Sequence, residues 1–481
     1  MYSFWGCDMN TLNKNSKNTK EKGSNLLITN ARIFNGTSSI PDDLKSIFIE
    51  NGLITEISNS ISKKNALQID VAGAFVFPGL IDAHVHLQSV SGSVYRKDTV
   101  EQLEKSRFHH LRAYVACGVT TVLDNGISAS MLKLFQDYLN SGGAGPNIYA
   151  LAPMLYPAGG YPGKDLLTPY WGPHPDPVHN LEEVTSRFME YEGLSNIVGV
   201  KTFVEPGMGG VNIWPIHTSE MRRIIVEQTK QRNLPLHIHA LGKQDQALAL
   251  EMGVKTLTHT GFTTGTPSES FIKKAKELGT HVTTTLTSSY EQLLIKYTPE
   301  RLEDPLLKLT VPKEQLTTAA DPEAWDHVWH EITKLRPKWI PEFVIKAIFK
   351  YVNMEKGIKR TVKNISKAII KMHNAGIPIV VGTDTSNWPI FISFFHGPSM
   401  IREIEILGEA GMSPLDVILA ATKTPAKMMG VDHKIGTIEV GKQADLIVVQ
   451  DNPLENLSAF KKLMWIVKDG EARTPREWMK Q

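Results

Sequence analysis

The sequence predicts an α/β fold: a (β/α)8 TIM barrel with a small β-sandwich built from both chain termini. Three observations carry this expectation. Short apolar runs separated by turn residues fill residues 25–76, and the pattern returns near the end in "IGTIEVGKQADLIVVQDNP" and "KLMWIVKDGEA". Between these β-rich ends, strand-like and helix-like segments alternate. Polar residues interrupt the apolar runs where barrel strands would end, which is where such barrels place their chemistry.

The 481 residues suit one large barrel with an accessory domain. Hydrophobic residues make up 41% and charged residues 21%, the balance of a soluble globular enzyme. A net charge of +2 offers no basic surplus for nucleic acid. No apolar run is long enough to span a bilayer as a helix. Cys7 and Cys117 are the only cysteines, so neither a disulfide framework nor a cysteine metal site is available. Any metal must be held by histidine and oxygen ligands. The expected partner is a small-molecule substrate, and self-association stays open.

Residues 1–24 read as a polar, disordered tail. Gly6-Cys7 after an aromatic stretch is faintly like a bacterial lipoprotein cleavage site, although the apolar region before it is short for a signal peptide. The expected location is cytoplasmic; the alternative is an exported lipoprotein tethered through Cys7, with its true start upstream. Residues 25–77 with 430–474 would form the composite sandwich, and Asn-Gly at 35–36 and 51–52 signals hairpins there. Residues 78–429 would form the barrel. Its strands are expected at 78–87, 119–125, 147–155, 198–205, 234–240, 256–260, 281–286 and 378–384. The helical stretch 290–360, between strands seven and eight, is expected to be a cap.

In "FPGLIDAHVHL", Asp82, His84 and His86 alternate on an apolar strand, so all three share one face. Two imidazoles about 7 Å apart along a strand can converge on one ion. His239 and His259 are twenty residues apart, a spacing that places them equivalently on strands five and six. His237 shares the face of His239 but lies deeper, as a packed or supporting histidine. Lys201 sits inside an apolar strand, where a charge is costly unless paired or neutralised. It would otherwise reach the rim or pair with Glu205. Asp384 follows Gly382 in "IVVGTDTS" and emerges at the eighth strand end. Singly, each residue has a bland explanation as a packed histidine or a turn-forming aspartate. Five such coincidences at five strand ends favour a shared site.

The ordered set resembles the amidohydrolase superfamily from residue 25 to 474, through "PGLIDAHVHL", "GVTTVLDNG", the fourth-strand lysine, the two later histidines, "GTDTS" and "GTIEVGKQADLIVV". The details look most like its prolidase and imidazolonepropionase-like branch. The resemblance implies a binuclear centre. His84, His86 and Asp384 would bind one metal and His239 and His259 the other. Lys201, carboxylated by carbon dioxide, would bridge them as a carbamate. Two zinc ions are the default, with manganese or iron as alternatives.

The expected function is metal-dependent hydrolysis of a C–N bond in a dipeptide, N-acyl amino acid or cyclic amide through a metal-bridging hydroxide, with Asp384 moving the proton. The alternatives are an ester, lactone or non-hydrolytic metal reaction, or a catalytically dead scaffold. Substrate contacts are expected from loops 153–177, "VNIWPIHTS" and "TSNWPIFISFFHG". Trp214, Trp388, Phe394 and Phe395 would line an apolar pocket, and His217 and His396 would touch substrate.

Overall fold

The first strand decides how the two ends of the chain meet. Leu26–Ile33 (β1) pairs along its first half with Lys45–Glu50 (β2) and with Leu67–Asp70 (β4), and β2 pairs in turn with Leu53–Ser58 (β3). Its last residues, Arg32 and Ile33, pair with Phe75–Pro78 (β5). Between Ile28 and Ala31 the register shifts, and Asn30 takes a φ of 57°. A bulge of this kind bends a strand out of one sheet and into another. This computed structural model describes residues 25–36, 43–89, 99–163, 175–207, 214–263, 265–289, 291–334, 339–386 and 391–480. The expected tail with Cys7, and the loop bearing Trp388, lie outside the described residues.

From β5 the chain passes through Pro78-Gly79 directly into the barrel. A Cβ on Gly79 would lie 2.1 Å from Thr120 Oγ1, so glycine is required for this close approach. The barrel strands follow as Leu80–Val85 (β6), Val119–Asp124 (β7), Asn147–Leu155 (β8), Ile197–Phe203 (β9), Leu236–His239 (β10), Thr256–Thr258 (β11), His281–Thr283 (β12) and Ile379–Val380 (β13). Among the described residues they form one parallel eight-stranded sheet in chain order. Every residue of β6 and β7 is buried, as expected of strands covered by helices on one face and by a packed interior on the other. Hydrogen bonds close the ring just past β13: Ala83 N–H donates to Val381 O, Asp384 N–H to His84 O, and His86 N–H to Thr385 O. Side-chain caps from Ser128, Thr218, Ser268 and Ser413 begin four of the surrounding helices.

The expected strand order is the observed one, but β10 to β13 are shorter than their apolar runs. The C-terminal ends of those runs leave the ladder to present side chains. Between β12 and β13 lie short helical segments, the helices Pro322–Lys334 and Glu342–Tyr351, and the long helix Met354–Asn374. They enclose a core of their own that includes Leu294, Trp325, Val328 and Ile358.

After the barrel, Leu446–Val449 (β14) pairs with β5 and with Leu463–Lys468 (β15), which pairs with Glu471–Arg473 (β16). The two layers enclose Ile28, Ile47, Ile49, Val76, Leu446, Val448 and Val467. At the junction with the barrel, the buried Lys468 ammonium lies 3.4 Å from Asp445 and donates to Asn147 at the foot of β8. Asn147 donates back to Asp445 at 2.6 Å. Removing one member of a buried pair leaves the other charge uncompensated. Lys468→Met should therefore cost about 3–5 kcal/mol, read as a lowered denaturation midpoint. An unchanged midpoint would show that the Lys468, Asp445 and Asn147 cluster does not hold the sandwich to the barrel.

Candidate functional site

At the C-terminal ends of the strands, His84 comes from β6 and His86 from just beyond it, Lys201 from β9, His239 from β10, His259 from just beyond β11, and Asp384 from the segment that closes the ring. Asp384 Oδ1 lies 3.2 Å from His84 Nε2 and 3.1 Å from His86 Nε2. Ligand atoms of His84, His259 and Asp384 all fall within 4.8 Å of one another. The His259 ring is 4.9 Å from that of His84 and 4.6 Å from that of His239. A small pocket is lined by His84, His86, Lys201, His239 and His259, and walled by Met154, Tyr161, Pro162 and Phe203.

Two of these residues have unusual backbone. His259 has φ of 76° and Asp384 of 63°, a region that L-residues enter at a cost of about 1–3 kcal/mol each. Gly382 makes room beside them, since a Cβ there would lie 2.6 Å from the His84 Cβ.

The electrostatics suit a cation. Burial pushes the His84 imidazole down to about 3, with the Lys201 charge adding to the effect. Burial also lowers His239, and lowers His259 well below the ordinary histidine value. These are neutral imidazoles, the form that binds metals. Burial alone would raise the Asp384 carboxyl, but His84 and His259 hold it well below the usual carboxylate range. His84 Nδ1 makes no hydrogen bond although it is buried, and His84 Nε2 and His239 Nε2 face the Asp384 and Glu205 carboxylates at 3.2 and 3.4 Å without a well-aligned bond. Buried polar atoms are ordinarily satisfied, so convergent orphan nitrogens beside a carboxylate fit a divalent cation.

Lys201 is 1% exposed, and burial lowers its amine to about 7. It does not reach the rim. Its Nζ donates to Thr258 Oγ1 at 2.8 Å. Glu205 instead faces His239, 3.4 Å from Nε2. His237 pairs in register with Lys201 one step below His239, fully buried against Gly199 and outside the pocket wall.

The loop residues are placed less uniformly. Trp214 packs on Tyr161, whose own ring is 4.8 Å from His239, so it stands one layer behind the pocket. His217 is buried with Nε2 3.3 Å from Leu155 O. His396 is buried between Tyr114 OH at 2.9 Å and Ser89 O at 2.8 Å, with its ring stacked on His110. Phe394 and Phe395 line a different cavity.

Several supporting residues escape sequence reasoning. Thr285 Oγ1 is 2.8 Å from His259 Nδ1, which leaves Nε2 as the ring's free ligand atom. Ser288 donates to Asp384 Oδ2 at 3.1 Å. Asp82, read as facing the same way as the histidines, accepts from the Thr383 N–H at 3.0 Å and hydroxyl at 2.7 Å and so ties β6 to the closing segment. Asp124 accepts from the Leu87 and Gly126 N–H groups and fixes the turn after His86. Apart from the local Gly126 bond to Asp124, these contacts are long-range, and no local motif announces them.

The fold is a (β/α)8 barrel with a histidine–carboxylate cluster at the C-terminal ends of its strands. The sequence pattern of the amidohydrolase family matches residues 75–469, and the chain belongs to that family. A solved Xaa-Pro dipeptidase with bound methionine superposes with a TM-score of 0.67 and 24% identity, covering 94% of this chain and 100% of that one. A. niger ochratoxinase superposes at 0.64 and 20% identity over 94% and 96% of the two chains. At these identities the likeness shows the fold. A dihydroorotase from Trichlorobacter lovleyi is 38% identical over 99 residues, 20% of this chain and 21% of that protein. The chain thus matches about a fifth of the length of such curated relatives.

The Thr285 contact is directly testable. Thr285→Val removes the partner that fixes the His259 ring and should weaken divalent-cation binding by about 10–100-fold. Competition titration against a chelating dye measures this, and unchanged affinity would remove His259 from the ligand set.

Proposed function

We propose that the chain is a metal-dependent amidohydrolase that cleaves a C–N bond of a small substrate such as a dipeptide, N-acyl amino acid or cyclic amide. The observation that carries this reading is the buried cluster of His84, His259 and Asp384, with orphaned imidazole nitrogens converging on a carboxylate. The names of the solved relatives, a dipeptidase among them, support an amide-type bond.

His84, His86 and Asp384 would hold one divalent ion and His239 and His259 a second, with Lys201 as a carbamate between them. Zinc fits histidine and oxygen donors, and manganese or iron would be accepted by the same set. When bound, such ions polarise a carbonyl oxygen and acidify water. Lys201 has no carboxylate within contact distance among its described partners, and its lowered basicity favours a neutral amine able to take up carbon dioxide. The carbamate would turn a costly buried cation into an anion facing cations.

Asp384 is the proton carrier. Its low pKa keeps it ionised in the resting site, so it accepts a proton only as the attacking water is consumed. It then passes the proton to the leaving nitrogen. Ser288 holds Oδ2 while Oδ1 faces His84 and His86, so the carboxylate is oriented from both sides. Met154, Tyr161 and Phe203 exclude bulk water from the pocket wall. Trp214 supports substrate through Tyr161. His217 and His396 are better suited by their buried bonds to holding loops in place than to touching substrate. Residues 290–360 serve as the cap that selects substrates.

The test is a screen of dipeptides, N-acyl amino acids and cyclic amides with metal-loaded protein. Asp384→Asn keeps the shape and a coordinating oxygen but removes the proton acceptor. With metal content checked, it should lose on the order of 10²–10⁴ in kcat. A fully loaded variant at the parent rate would move the proton role elsewhere. Lys201→Ala should lose both metal and activity. Retention of both ions in that variant would exclude the carbamate bridge.

A further inference from the structure

Away from the histidine cluster, a cavity of about 530 Å³ opens between the helical segments Glu291–Tyr297, Pro299–Glu303 and Pro305–Thr310 on one side and the helix Pro398–Ala410 on the other. It shares no lining residue with the pocket that contains His84 and His259. Its volume is within the range of pockets that bind small molecules, about 300–1,000 Å³. We propose that this cavity is a second binding site, for a neutral and mainly apolar small molecule, and that its occupant acts on Asp384 through the turn containing Thr287.

The lining determines the class of ligand. Ile295, Leu306, Phe394, Phe395 and Ile401 supply apolar walls, with two aromatic rings among them. Of the seven charged lining residues, four pair with one another and Glu303 pairs with Lys308. Lys461 bridges Asp304 at 3.5 Å and Glu405 at 2.8 Å, and Arg402 reaches Glu405 at 3.3 Å. A charged ligand would have to break these pairs, whereas an aromatic or branched aliphatic one displaces only water from apolar surface.

The route to the catalytic side is a set of hydrogen bonds that begins in the cavity wall. Thr287 lines the cavity, and its N–H and hydroxyl both donate to the buried Glu403 carboxylate, at 2.7 and 2.8 Å. Leu286 N–H donates to the other Glu403 oxygen at 3.0 Å. Gln292, also in the wall, donates to Ser288 O at 2.8 Å. Ser288, held between these two wall residues, donates its hydroxyl to Asp384 Oδ2. A molecule pressing on Thr287 and Gln292 therefore bears on a hydroxyl that helps to orient the Asp384 carboxylate. The binding half of the proposal is independent of the function proposed above, and the coupling half rests on the assignment of Asp384 to the metal site.

The experiment is a fluorescence titration of the full chain with N-phenylnaphthylamine, a neutral aromatic probe. Saturable one-to-one binding is expected, retained after chelator treatment. Ile401→Trp fills the cavity from its helix side and should weaken binding by about tenfold or more. Leu307→Trp, at a half-buried position on the opposite wall, serves as the second variant should the first fail to fold. On cobalt-loaded protein the probe should shift the visible absorption band, and the shift should vanish in the filled variants. Absence of saturable binding, or binding untouched by both folded variants, overturns the site. Binding with an unmoved cobalt band overturns the coupling. Failure to load cobalt at all counts against the metal reading and leaves the binding result standing.

Discussion

The structure depends on how the last strand of the barrel closes on the first. Asp384 N–H donates to His84 O and His86 N–H to Thr385 O, so the two segments are locked in a register that sets the Asp384 carboxylate between two imidazoles. Slippage by one residue would turn His84 and His86 to the opposite face. Asp82 guards against it by binding both the N–H and the hydroxyl of Thr383 across the same seam. Gly382 is needed because no side chain fits between the seam and His84.

The closed ring also explains why strained backbone is tolerated. His259 and Asp384 both adopt left-handed φ values, which would relax in an isolated loop. Each is gripped from outside its own strand, His259 by Thr285 and Asp384 by Ser288. Thr285 and Ser288 lie on one short turn, and Glu403 binds the intervening N–H groups from a distant helix. A carboxylate far from the pocket thus fixes the orientation of two groups within it. The solved relatives share the barrel, and a shared fold does not by itself set a shared reaction.

Much of the site was legible because barrel chemistry obeys a period of two. Asp82, His84 and His86 alternate on an apolar run, and a lysine inside "VGVKTFVE" is costly unless it pairs or reaches the rim. His239, His259 and Asp384 recur at equivalent strand ends, and the chain order then fixes their neighbourhood. What escaped was everything that depends on contacts between distant segments. Thr285, Ser288 and Glu403 are ordinary residue types in ordinary helical or turn sequence, and only the folded ring brings them together. Glu205 is near enough in sequence to pair with Lys201, yet the chain beyond β9 turns it towards His239. His396 stands beside aromatics in a loop, but the side of a loop that faces inward cannot be read from composition, and its ring is enclosed by Tyr114, Ser89 and His110. The strand limits were overestimated late in the barrel because apolar character persists past the last ladder bond.

The central claim is that the buried histidine–carboxylate cluster exists to hold divalent cations. Elemental analysis of the purified chain, loaded with zinc or manganese in bicarbonate buffer and freed of unbound ions, tests it most directly. The account predicts about two ions per chain, with hydrolytic activity lost on chelation and restored on reloading. Protein that retains no ion above background, and hydrolyses an amide at the same rate in the presence of chelator, would contradict it.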